Sequence, residues 1–268
     1  MYAFDFLRPA SLPEALDALR DEGAQPLAGG QTLIPTLRQR LAAPERLVSL
    51  TGIASLRGVR RDAAGRLRIG AMTCHAEIAA QTADSFPALA DLAGRIGDPM
   101  VRNRGTIGGS LANNDPSACY PAAVLACGAT IITDRREIGA EDYFLGMFTT
   151  ALDEGEIVTE VRFPVPRAAH YAKFIQPASR FALVAVFVAR FTDGVRVAVT
   201  GAAEDGVYRW TEAEAALTRD FNADAVAGLA ADPDGLIGDL HGTPDYRAHL
   251  IGVMTRRAVA AMGSDTPG

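Results

Sequence analysis

Two glycine-bearing tracts carry the residue types best suited to chemistry in this sequence. The first, Ala28-Gly29-Gly30-Gln31-Thr32-Leu33, follows an apolar run and precedes a helical pattern. Glycines at a strand-to-helix turn let backbone approach a ligand, and exposed N–H groups at a helix start attract an anion. This tract lacks both the G-x-G-x-x-G spacing of a dinucleotide fold and the lysine of a P-loop. Taken alone it reads first as an ordinary turn and second as half of a phosphate cradle.

The second tract, Arg102-Asn103-Arg104-Gly105-Thr106-Ile107-Gly108-Gly109-Ser110, runs on into Leu111-Ala112-Asn113-Asn114-Asp115-Pro116. It supplies close glycines, hydroxyls and amides without an acidic run. Two glycine turns, each followed by a hydroxyl or amide side chain, suit a pyrophosphate held from both sides by backbone dipoles. The alternative is a surface loop of Asx-turns. A tract this long inside a packed domain is better explained by a site.

Other chemistries are poorly supplied. Cys74, Cys119 and Cys127 are odd in number and not spaced C-x-x-C, and His75, His170, His241 and His249 show no H-E-x-x-H spacing. No zinc site, disulfide framework or iron–sulfur cluster can be built from them within one chain, so no metal site is expected here. Redox chemistry would have to ride on an organic cofactor or on another subunit.

The elements that must position these tracts can be read from pattern. Residues 2–7 form a strand; Ser11 and Glu14 make a capping box that opens a helix ending near Gly23. A strand over Gln25 to Ala28 enters the first glycine turn, a helix spans about Thr32 to Leu41, and a strand covers Arg46 to Ser49, giving a small βαβαβ unit. Further on, Leu67 to Gly70 is a strand, and Thr73 to Gln81 and Pro87 to Gly97 are helices. Gly97 to Pro121 is the most irregular stretch. Segments 129–133, 136–139 and 157–163 point to a mostly antiparallel sheet.

Pro164-Val165-Pro166 marks a boundary. Beyond it Phe181 to Phe191 and Val195 to Ala202 are strands joined through Asp193-Gly194, with Val207 to Arg209 as a third. Three helices close the chain: one opened by a Thr211–Glu214 capping box, one over about 223–230, and one with Pro244 at its first position, reaching about 262. Gly263 to Gly268 reads as a frayed tail. The expected fold is α+β. A domain of residues 1–166, with subdomains of about 1–57 and 58–166, precedes a C-terminal α+β domain, 167–268, of a three-stranded antiparallel sheet and three helices.

Composition narrows the function. Hydrophobic residues are 49% of the 268 and charged residues 22%, which is globular rather than disordered. A net charge of −6 and no basic stripe disfavour nucleic acid. The longest apolar runs, Phe181 to Ala189 and Pro121 to Ile132, fall short of the ~20 residues of a membrane span. Asp5, Arg8 and Glu14 interrupt the stretch a secretory signal would need, so a cytoplasmic location is expected.

AGGQTLIP together with RNRGTIGGSLANNDPSACYPAA resembles the FAD-binding medium subunit of molybdenum hydroxylases, the family of aerobic carbon monoxide dehydrogenase and bacterial relatives of xanthine dehydrogenase. The resemblance extends to GEIVTEVRFP at 155–164 and YAKFIQPASRFALVAVFVA at 171–189. It implies that Ala28, Gly29, Gly30, Gln31 and Thr32 hold the FAD pyrophosphate, with Leu27 and Leu33 flanking. Thr106, Ile107, Gly108, Gly109 and Ser110 would complete the grip. Ile96 would pack near the adenine–ribityl side, Ala112 and Ala118 would make backbone contacts, Ile157 and Val158 would pack on the isoalloxazine, and Lys173 would lie near a family lysine.

Cys119 stands where many relatives carry an aspartate that contacts the flavin or its ribityl chain, so that contact is lost or replaced by a weak thiol hydrogen bond. His75 either approaches the flavin as a cationic donor or bonds locally at a helix start. Arg102 and Arg104 either neutralise the pyrophosphate or pair with acidic residues at a subunit contact.

The resemblance implies an electron-transfer flavoprotein subunit with no catalytic acid, base or nucleophile of its own. Its partners would be a small subunit with two [2Fe–2S] clusters and a large molybdopterin subunit, assembled as a dimer of heterotrimers, and electrons would leave to an external acceptor. A free-standing FAD-dependent reductase or oxidase is the alternative.

Overall fold

The computed structural model describes residues 1–263, so the expected tail lies, from residue 264 on, outside the described residues. The first unit is β1 (Asp5–Leu7), α1 (Leu12–Ala18), β2 (Ala24–Leu27), α2 (Leu33–Arg38) and β3 (Arg46–Ser49). Its sheet has the order β1-β3-β2 with both pairings parallel, as two helical crossovers require. Ser11 caps α1 by accepting the Glu14 N–H at 3.4 Å, while the Glu14 carboxylate accepts the Ala10 N–H at 3.0 Å. Ala15 of α1 packs with Val48, Leu50, Ile53, Leu56, Met72 and Ile157 in a small core of its own.

The second unit runs β4 (Val59–Arg61), β5 (Leu67–Gly70), α3 (His75–Gln81), α4 (Pro87–Gly94), α5 (Pro99–Arg102), α6 (Ile107–Asn113), α7 (Tyr120–Ala126), β6 (Thr130–Thr133), β7 (Glu137–Gly139), α8 (Ala140–Tyr143), β8 (Phe144–Gly146), β9 (Thr149–Thr150) and β10 (Val158–Phe163). Five of the strands form an antiparallel sheet of order β4-β5-β10-β6-β7, and β8 and β9 make a separate hairpin. The stretch expected to be most irregular contains two short helices. Asp98 caps α5 by accepting the Val101 N–H at 3.0 Å, and Thr106 caps α6 by accepting the Gly109 N–H at 3.1 Å. Gly108 sits inside α6 despite its poor helix propensity, because a Cβ there would come within 2.5 Å of the Ala71 side chain.

The third unit is β11 (Ala168–Ile175), β12 (Ala182–Arg190), β13 (Val195–Ala203), β14 (Gly206–Arg209), α9 (Thr211–Arg219) and α10 (Pro244–Met262). Its antiparallel sheet has four strands in sequence order, so the expected three-stranded sheet gains β11. Of the three expected helices, the middle one is a single 3-10 turn, Ala223–Val226. The Thr211 capping box does not form: Trp210 takes the cap position, and Glu214 is drawn away to the Arg209 guanidinium (2.6 and 2.8 Å) and the Val197 N–H (2.9 Å).

Strand β12 is buried on both faces, which explains its unbroken apolar run. Ala185, Phe187 and Ala189 join the core that holds Tyr120, Val161 and Phe163, whereas Val184, Val186 and Val188 join Leu250, Ile251 and Met254 of α10. The main core thus crosses the Pro164-Val165-Pro166 linker. No helix among the described residues is long and apolar enough to cross a membrane.

Candidate functional site

The C-terminal end of β2 and the N-terminal end of α6 open on one cleft of about 660 Å³. Leu27, Ala28, Gly29, Gly30, Gln31, Thr32 and Leu33 line it from the first glycine tract; Thr106, Gly108, Gly109, Ser110 and Ala112 line it from the second. Ile96, Ala118, Cys119, Ile157, Val158 and Lys173 complete the wall. Ile107 is the one assigned residue not brought there. Its side chain is fully buried in the main core, and its N–H donates to the Thr73 carbonyl at 3.3 Å.

The two tracts touch each other as well as the cleft. A Cβ on Gly29 would lie 2.1 Å from the Arg104 carbonyl oxygen, so glycine is required there for backbone to pass backbone. Their polar groups are unequally engaged. In the second tract the Gly108 N–H donates to the Ala71 carbonyl (2.9 Å) and the Gly109 N–H to the Thr106 hydroxyl (3.1 Å), leaving the start of α6 satisfied by the protein. In the first, no acceptor among the described residues takes the N–H groups of Gly30, Gln31, Thr32 or Leu33. Consecutive free amides at a helix start favour an anion. Free backbone amides are thus offered to the cleft by the first tract, whereas the second offers the side chains of Ser110 and Asn113.

Several titratable groups around the cleft are held by neighbours. His75, at the first position of α3, is 4% exposed and its Nδ1 meets the Tyr120 hydroxyl at 3.2 Å. Burial, assisted by the Arg102 charge, lowers its pKa to about 4, so it is neutral near pH 7 and the cationic role is set aside. Arg102 donates to the Ile96 and Gly97 carbonyls (3.1 and 2.9 Å), which engages it locally. Burial works against the charge on Glu156, but hydrogen bonds from Arg136, Thr133 and the Asp153 N–H outweigh it and bring its pKa to about 2. Lys173 is almost wholly buried and donates to the Arg95 carbonyl (3.1 Å) and Cys119 Sγ (3.4 Å).

Pattern reading missed several lining residues. Met72 follows β5, Asp115 and Ser117 lie in the second motif itself, and Ser179, Arg180 and Phe181 come from the turn between β11 and β12. The proline, serine and arginine of QPASRF mark that turn, but nothing local says that it folds over the cleft. Among the described residues no group of three or more His, Cys, Asp or Glu could hold a metal ion.

The free amides, the close glycines and the apolar Ile157–Val158 wall fit a flavin dinucleotide, whose pyrophosphate needs donors and whose ring needs an apolar surface. Residues 2–166 match the family described as the FAD binding domain in molybdopterin dehydrogenase. The chain is 36% identical to the carbon monoxide dehydrogenase medium chain of Afipia carboxidovorans, with 96% of each covered. It is 33% identical to the nicotine 6-hydroxylase medium subunit of Paenarthrobacter nicotinovorans, with 98% of this chain and 99% of the relative covered. The structure of carbon monoxide dehydrogenase from Hydrogenophaga pseudoflava lacking the Mo-pyranopterin moiety contains a similar chain, at TM-score 0.85, 33% identity and 97% coverage of both. The likeness thus extends over nearly the whole chain, in sequence and in fold, and the chain belongs to the FAD-binding medium subunits of the molybdenum hydroxylases, as one subunit of an oxidoreductase.

Proposed function

We propose that this subunit relays electrons from iron–sulfur clusters in a small partner subunit to an external acceptor, while a large molybdopterin subunit oxidises the substrate. The observation that supports this most is the single cleft on which both glycine tracts converge, its first-tract amides free and its nearby histidine neutral. FAD, when bound, supplies the electron exchange. The chain contributes binding and orientation: Gly30 to Leu33 would hold the pyrophosphate through their amides, and Ile157 and Val158 would give the ring an apolar seat.

The substrate belongs to another subunit in this reading. Relatives of nearly equal similarity are named for carbon monoxide, nicotine and glyceraldehyde, so the medium subunit does not set that choice. Three free cysteines accord with a reducing cytoplasm, and assembly as a dimer of heterotrimers is part of the proposal.

The test is anaerobic mixing of the assembled complex with its substrate, following flavin absorbance by stopped flow. The flavin should bleach in the complex, and the isolated FAD-loaded chain should stay oxidised under the same conditions. Molybdenum reduction without flavin bleaching would overturn the relay.

A further inference from the structure

Lys173 and Cys119 meet at the cleft wall. Lys173 is 8% exposed, and its ammonium has only the Arg95 carbonyl and Cys119 Sγ as partners, with no carboxylate in ion-pair range among the described residues. Cys119 is 5% exposed, at the cap position of α7. The Tyr171 hydroxyl, fully buried, lies beside the same thiol and has no other hydrogen-bond partner. A sulfur atom 3.4 Å from an amine nitrogen, with a phenolic donor beside it that serves no other group, is arranged to receive an oxygen and then to lose it.

We propose that Cys119 and Lys173 form a reversible oxidative cross-link, with a peroxide as oxidant. Hydrogen peroxide converts the thiol to a sulfenic acid and is reduced to water, the sulfur losing two electrons. The Tyr171 hydroxyl beside the thiol then donates to the new oxygen. The Lys173 ammonium first loses one proton to solvent through the cleft, and the freed nitrogen lone pair attacks sulfur: an N–S bond forms as the S–O bond breaks. A second nitrogen proton leaves with the hydroxide as water, and the third stays on nitrogen. Overall, thiol, ammonium and peroxide give a sulfenamide, two waters and a proton. The link would tie β11 to the start of α7 and remove a positive charge from the cleft wall; it stands independently of the electron-relay reading.

The experiment treats the full-length chain, as purified, with dilute hydrogen peroxide and maps its peptides by mass spectrometry. The expected product joins the Cys119 and Lys173 peptides at the sum of their masses less two hydrogens, and dithiothreitol reverses it. It should be missing from C119S and K173M, with K173M carrying Cys119 onward to unlinked sulfinic acid. Recovery of wild-type Cys119 as free thiol, as unlinked sulfinic acid or as a disulfide with Cys74 would overturn the proposal.

Discussion

His75 shows how one buried side chain can shape the pH response of the protein. Its imidazole titrates at about 4 in the fold, against 6.5 as the ordinary value, because burial disfavours the cation and Arg102 adds to the effect. The unfolded chain therefore takes up the proton first on acidification. The stability tied to His75 is intact above pH 6.5 and drains away as the pH falls toward 4. Between pH 7 and 5 the loss should be roughly 2 kcal/mol. Urea titrations at both values would read it, and H75Q should remove most of that difference; equal pH dependence in H75Q would assign the effect elsewhere. Gly29 is a second single-residue case. A methyl at that site drives into the Arg104 carbonyl, so G29A should cost about 1–3 kcal/mol and weaken FAD uptake by equilibrium dialysis. The sequence reads Gly29 as part of a turn where backbone could approach a ligand, but does not show that the tight neighbour is the other glycine tract. It equally could not show that Ile107 turns inward while its neighbours reach the cleft.

At the scale of elements, helix α6 carries the second tract, and Thr106 holds its start. Removing that hydroxyl leaves the Gly109 N–H without its acceptor, so T106A should lower stability by about 1 kcal/mol. T106S should restore most of it, since the oxygen returns; thermal melts of the three proteins decide this, and an unchanged T106A would show the cap to be replaceable. This helix was illegible in sequence for a physical reason. Seven residues give too few turns for a 3.6-residue period to register, and the consecutive glycines argue against a helix on propensity. Packing against Ala71 overrides propensity there. Strand β11 was hidden differently, because His170 and Lys173 break its apolar pattern, although Lys173 is buried through hydrogen bonds to Arg95 and Cys119, both distant in sequence. The long buried run of β12 and the Asp193-Gly194 turn were plain, because local preference and tertiary role agree there.

At the scale of the whole molecule, an aromatic cluster spans the linker at 164–166. Phe86 stacks edge-on against both Phe163, before the linker, and Phe187, after it, with ring centroids 6.3 and 6.2 Å apart. We propose that residues 1–166 and 167–263, though separable in sequence, fold as one cooperative body, since β11 to β13 supply part of the core beneath α4 and α7. F187A should then cost about 3–5 kcal/mol and destabilise both parts together. The cofactor provides the sharper test, because its cleft draws on Gly29 before the linker and on Lys173 and Phe181 after it. FAD at a hundred times its dissociation constant should stabilise the folded state by about 2.7 kcal/mol. For a chain of this size that raises the melting midpoint by roughly 5–10 °C. Calorimetry with and without FAD should show one transition that moves as a whole. Two transitions, with only one moved by FAD, would instead mean that the sheet after the linker unfolds as an independent unit and that its share of the cleft contributes little to holding the cofactor.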